Sequence, residues 1–187
     1  MKIDKKIGVD ILGEGEPKIP HPSDDTWNGI SLPWMAFGYG VSLTPLQQLT
    51  FYNAVANNGE MVKPSFINSI GSIGEKPIYQ IDREIIMPSI SSRETLKSVK
   101  KMLLNVVEKP WGTANNIYDK DLKIAGKTGT AQVDYTKDET QYISSFVGYF
   151  PADDPKYSSI VVIHKPKKSE GYYGTVSYTQ LTLPTKA

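Results

Sequence analysis

Two stretches of the chain carry apolar residues at helical spacing, and its last third breaks into apolar runs separated by turn formers. Leu46, Leu49, Tyr52, Val55 and Ala56 follow the 3.6-residue period of one helix face. Thr44-Pro45-Leu46-Gln47 marks its start: the threonine hydroxyl accepts from a free first-turn amide, proline sits where no amide is needed, and Gln47 reaches back as a capping box. Asn58-Gly59 closes it, with glycine placed for a left-handed cap. A second helix carries Leu96, Val99, Met102, Leu103, Val106 and Val107 on one face. Lys97, Lys100, Lys101 and Glu108 are predicted away from that face. Ser91-Ser92-Arg93-Glu94 reads as its capping box, and Pro110 and Gly112 stop it. Between the helices, Phe66, Ile67 and Ile70 predict one short strand and residues 78–81 another. Residues 123–133, 144–150 and 157–164 predict three longer strands with a polar loop after the first and Pro151-Ala152-Asp153-Asp154-Pro155 as a turn. Short connections make such strands antiparallel. Helices plus this sheet predict an α+β architecture, an antiparallel sheet flanked by helices.

Residues 1–40 follow neither period. Gly13, Gly15, Pro17, Pro20, Pro22, Gly29 and Pro33 interrupt them, so no long element is expected. Trp27, Trp34, Phe37 and Tyr39 predict that this segment is held over a core by its rings.

The totals exclude more than they assign. A length of 187 residues fits one domain, and 39% apolar with 22% charged residues fits a folded globular chain. The net charge of +1, without a block of like charge, argues against a nucleic-acid or anionic-membrane surface. Zero cysteines exclude disulfides and thiolate metal sites. No apolar run approaches membrane-spanning length, and no secretion signal opens the chain.

Candidate chemistry concentrates in Ile124-Ala125-Gly126-Lys127-Thr128-Gly129-Thr130-Ala131-Gln132. Lysine offers three donors and each threonine a hydroxyl that donates and accepts, while a strand glycine permits close approach by another backbone. Such a strand suits a carboxylate-bearing peptide laid along it. On composition alone, an ordinary strand with two glycines for packing is the simpler reading. A phosphate-binding loop is excluded, because the glycine it needs five positions before Gly126 is Asp121. Lys-Thr-Gly also serves as the third element of serine acyltransferases that react with β-lactams, after Ser-x-x-Lys and Ser-x-Asn.

Five segments in order support that last use. They are Gly8-Val9-Asp10-Ile11 with Gly13-Glu14-Gly15; Gly38-Tyr39-Gly40 with Thr44-Pro45-Leu46-Gln47; Ala56-Asn57-Asn58-Gly59 with Pro64; the lysine motif; and Ser145-Phe146-Val147-Gly148-Tyr149-Phe150-Pro151. Together they resemble the transpeptidase domain of class B penicillin-binding proteins, the division-type peptidoglycan D,D-transpeptidases in particular, over residues 7–174. The resemblance implies a serine β-lactamase-like fold with a five-stranded antiparallel sheet and helices on both faces. It implies an enzyme that cross-links D-Ala-D-Ala stem peptides through a serine acyl-enzyme and is acylated on the same serine by β-lactams, without cofactor or metal. Lys127 would hold the catalytic hydroxyl network, Thr128 and Thr130 the substrate carboxylate, and the Thr130 amide would be an oxyanion-hole donor. Gly129 would let the substrate backbone lie against the strand, and Gln132 would face the same cleft. Cell-division proteins are the implied protein partners, and the outer face of the inner membrane the implied location.

Two elements of the family pattern are missing. Ser-x-Asn does not occur, and Ser-x-x-Lys occurs once, as Ser98-Val99-Lys100-Lys101, on the polar side of a helix and downstream of where the nucleophile belongs. Activation needs a desolvated partner within hydrogen-bond reach, so no nucleophile is assigned in this chain. The expectation is therefore a partial, incomplete transpeptidase domain at residues 1–174, followed by an atypical tail at 175–187. Such a piece, with uncovered edges and faces, is expected to be poorly soluble or oligomeric. Two other readings stay open: a non-catalytic module that binds stem peptides or a division partner, and a β-lactamase or D,D-carboxypeptidase relative.

Overall fold

The computed structural model describes residues 2–133 and 141–166. The connection at 134–140, Tyr172-Tyr173-Gly174 and the tail at 175–187 lie outside the described residues. Elements run in the order α1 (Ser31–Ala36), α2 (Pro45–Ala56), β1 (Met61–Val62), β2 (Ser69–Ile70), β3 (Tyr79–Gln80), β4 (Ile85–Met87), α3 (Arg93–Glu108), a 3-10 turn (Asn115–Ile117), β5 (Ala125–Val133), β6 (Gln141–Phe150) and β7 (Tyr157–His164). The last three form an antiparallel sheet of order β5-β6-β7, and two small two-stranded sheets pair β1 with β4 and β2 with β3. The α+β prediction therefore holds. The main sheet has three strands among the described residues, with β5 and β7 as its edges.

Local sequence chemistry accounts for α2. Thr44 accepts from the Gln47 amide at 3.1 Å, and the Gln47 side chain accepts from the Thr44 amide at 2.9 Å, closing the predicted box. Gly59, at φ +97°, returns its amide to Ala54. The buried face differs from the predicted stripe. Gln47 and Thr50 are buried with Ala54, Val55 and Ala56, whereas Leu46 and Leu49 are half-buried. The Gln47 amide nitrogen donates to the Lys5 carbonyl, so the N-terminal segment packs over this polar pair.

Helix α3 starts one residue later than the predicted box. Ser92, not Ser91, is the cap, accepting from the Thr95 amide at 3.2 Å, while its hydroxyl also meets Thr95 Oγ1 at 2.9 Å. Glu94 stays in the first turn, where a carboxylate favours the helix dipole. Met102 is exposed despite its place in the apolar set. Lys100, predicted to point away, instead donates to the Ala56 carbonyl at 2.9 Å and to Asn58 Oδ1 at 2.8 Å. It thereby satisfies the carboxyl end of α2, where helices leave carbonyls unpaired. Burial holds its ammonium below the usual lysine value.

The core has two clusters, one on each face of the sheet. Val55 and Ala56 of α2 and Leu103 of α3 meet Ala125 and Tyr149 on one face. On the other, Val107, Ala114, Ile117 and Ile124 enclose Phe146. Thus α3 serves both clusters, and the second face is completed by the 3-10 turn. Burial pushes the Tyr149 phenol up to about 12.

The N-terminal region departs most from expectation. Its one helix, α1, buries no residue, and Trp34 and Phe37 are 51% and 84% exposed. Trp34 packs edge-on to Tyr39 rather than into a core. Polar bonding organises the segment before it: the Glu14 carboxylate accepts from the amides of Ile7, Gly8 and Val9 at 2.5, 2.9 and 3.2 Å. Burial raises its proton affinity, but those amides and Lys6 outweigh it and hold Glu14 below the ordinary value. The strand predicted from Phe66, Ile67 and Ile70 shrinks to two exposed residues of the β2–β3 hairpin.

Candidate functional site

The lysine motif lies along β5. Its strand begins at Ala125, two residues after the predicted start, because Lys123 sits at φ +46° and its carbonyl is taken by the Ala152 amide. The register pairs Gly126 with Gly148, Lys127 with Val147, Thr128 with Phe146, Gly129 with Ser145, Thr130 with Ser144 and Gln132 with Tyr142. Pleat alternation then puts Lys127 and Gly129 on the α2 side and Thr128, Thr130 and Gln132 on the Phe146 side. Lys127 and Thr130 are exposed, while Thr128, Gly129 and Gln132 are half-buried.

The parity that separates Lys127 from the threonines is partly offset by its long stem. The ammonium bends back to donate to the Thr128 carbonyl at 2.6 Å. Its charge therefore lies at the strand backbone instead of standing off the sheet face.

Glycines set the depth of the strand. A Cβ at Gly126 would meet Phe146 Cζ at 2.5 Å and the Val147 carbonyl oxygen at 2.6 Å. A Cβ at Gly129 would meet Ser145 Oγ at 2.5 Å. Both positions thus serve internal packing as well as any approach by a ligand, and the packing reading from composition holds for Gly126.

One residue beside the motif was not singled out from the sequence. Thr113 Oγ1 shares a 2.9 Å hydrogen bond with Thr128 Oγ1. The loop presenting it is tightly built: the Gly112 amide donates to the Lys109 carbonyl, the Ala114 amide to Val106, and the Asn115 side chain to Val107. A side chain at position 112 would run into the backbone of Asn105 and Val106. In the sequence Gly112 reads only as a helix stop. Glycine followed by threonine and alanine, with Asn115 able to close the preceding helix, was the available signal.

Ser98 and Lys101 are exposed on α3. No group of three or more His, Cys, Asp and Glu side chains converges on a metal position among the described residues. Chemically, β5 offers hydroxyls, one ammonium and an edge that no strand pairs with among the described residues, a set matched to an anionic, extended ligand.

Comparison with known proteins supplies the family. The model of the penicillin binding protein transpeptidase domain matches residues 1–181. Stage V sporulation protein D of Bacillus subtilis is 34% identical over 178 residues, covering 92% of this chain and 26% of that protein. The peptidoglycan D,D-transpeptidase FtsI of Buchnera aphidicola is 28% identical over 178 residues, covering 94% and 29% respectively. Penicillin binding protein 3 of Mycobacterium tuberculosis, solved in complex with ampicillin, superposes with a TM-score of 0.72 at 28% identity, covering 88% of this chain and 37% of that one. The chain spans between a quarter and a third of the length of these two curated relatives. No helix among the described residues is long and apolar enough to cross a membrane. With its lysine-threonine edge strand and this match over nearly its whole length, the chain belongs to the penicillin-binding protein transpeptidase domain family, in its class B branch.

Proposed function

We propose that this chain is the substrate-binding portion of a peptidoglycan D,D-transpeptidase, acting in the complete protein on the extracytoplasmic side of the membrane. In this reading residues 1–174 belong to the catalytic domain, 175–187 lie outside its fold, and the nucleophilic serine is contributed by another part of the protein. The observation that carries it is the outer edge of β5, which no strand pairs with among the described residues, with Lys127 and Thr130 exposed and the Thr128 hydroxyl bonded to that of Thr113.

In this reading each residue of the strand has its own part. A stem peptide ending in D-Ala-D-Ala lies along β5 by strand addition, its carboxylate on the Thr128 and Thr130 hydroxyls. Serine oxygen attacks the carbonyl of the penultimate residue, the terminal D-alanine leaves with the proton, and the acyl-enzyme remains. The amine of a neighbouring stem peptide then displaces the serine, forming the cross-link and returning the proton. Lys127 supplies positive potential to the hydroxyl network, and the Thr130 amide stabilises the oxyanion. β-Lactams enter by the same route and stop at the acyl-enzyme. Gln132 borders the cleft beyond Thr130.

The test is acylation by a fluorescent penicillin. In the complete protein, Lys127→Ala is expected to slow acylation by about 100-fold or more, the scale of losing one electrostatic stabiliser. Unchanged acylation removes Lys127 from the mechanism. The chain alone is expected to carry no covalent label, and a stoichiometric adduct would place the nucleophile within it, with Ser98 the first candidate.

A further inference from the structure

Along α3, two cavities lie next to each other with Lys100 in the wall of both. One, about 320 Å³, is floored by Leu104, Ile124 and Ala152. The other, about 530 Å³, runs over Leu96. Six cations line them together, Arg93, Lys97, Lys100, Lys101, Lys120 and Lys123, against two carboxylates, Glu108 and Asp153. The whole chain carries only +1, so this groove concentrates positive charge that the rest of the molecule offsets.

Structural pairing uses part of that charge. Lys100 is spent on the end of α2, and Lys123 is paired with Asp153 at 2.6 Å. The nearby Asp119 is turned into its own loop, accepting from the amides of Asp121 and Leu122. Arg93, Lys97, Lys101 and Lys120 are exposed along the groove. From Arg93 to Lys101 the helix rises roughly 12 Å, about the reach of four extended residues.

We propose that this groove docks an acidic segment of a partner protein, whose carboxylates meet Arg93, Lys97, Lys101 and Lys120 while apolar side chains enter over Leu96 and Leu104. The apolar floors favour a peptide over a polyphosphate or nucleic acid, which has no use for buried aliphatic surface. The concave shape disfavours a bilayer, which meets flat or convex basic faces. The groove is separate from the motif residues of β5, so docking here leaves the edge strand open. Charge complementarity of this kind sets partner choice and association rate, and it weakens with salt.

The probe is a fluorescein-labelled ten-residue peptide of glutamates with leucine at every fourth position, read by anisotropy on the full-length protein. Saturable binding is expected, weakened about tenfold by K97E/K101E/K120E and kept by K97R/K101R/K120R, as charge steering requires. Replacing the leucines by serine is expected to weaken it as well. Absence of binding, indifference to charge reversal, loss in the arginine variant, or equal affinity for the serine peptide or for inorganic polyphosphate would each overturn the proposal.

Discussion

Replacing Gly126 by alanine tests the packing on which the motif strand depends. The added Cβ would stand 2.5 Å from Phe146 Cζ and 2.6 Å from the Val147 carbonyl oxygen, where ordinary contact begins at 3.4 Å. Neither obstacle yields easily. Phe146 is 1% exposed and enclosed by Val107, Ala114, Ile117 and Ile124. Val147 belongs to the central strand, paired with Lys127 on one side and Ile160 on the other. Overpacking of this kind costs about 1–3 kcal/mol, and a fixed backbone atom puts the site at the upper end. Alanine returns about 0.5–1 kcal/mol, since glycine within a strand loses more chain entropy on folding. The clash wins, leaving a net loss of about 2 kcal/mol. In urea this lowers the unfolding midpoint by about 1 M for a slope of about 2 kcal/mol/M. Gly29→Ala is the control, because nothing lies within 4 Å of its Cβ position and its φ is not left-handed. It should fall within about 0.5 kcal/mol of the parent chain. A G126A midpoint no lower than that of G29A would refute the close approach of β5 to β6.

Two further perturbations probe the site and the N-terminal segment. Thr113→Val removes the hydrogen bond to Thr128 and should slow β-lactam acylation of the complete protein about fivefold, for a bond contributing about 1 kcal/mol, whereas Thr113→Ser should retain the parent rate. If T113V matches the parent, or T113S is as slow as T113V, Thr113 does not position the motif. Glu14 has a folded value below its unfolded one, so its stabilisation is present above the unfolded value, about 4.3, and is lost as pH falls through the folded value. Melting temperatures measured from pH 6 to pH 3 should fall more steeply for the parent than for Glu14→Gln, and equal slopes would show that the three amides do not depend on the carboxylate charge.

The sequence alone determined the elements whose causes are local. Thr44 and Gln47 close a box across three residues, Gly59 takes the left-handed turn that ends α2, and the 151–155 turn separates two strands whose composition admits little else. That Lys127, Thr128, Gly129 and Thr130 share one extended strand was also legible, because short residues around two glycines mark a segment pressed closely by its neighbour. What only the tertiary structure decided depends on residues far apart in the chain. Thr113 reaches Thr128, Lys100 turns from solvent to the end of α2, and Phe146 lies over Gly126. The rings of Trp34 and Phe37 stay exposed, because no core face of the described residues comes to meet them. A cap is specified by the backbone groups within its own turn. A side chain's distant partner is fixed only when sheet register and helix placement bring two surfaces together, and a single chain of residue types does not encode that meeting at any one position.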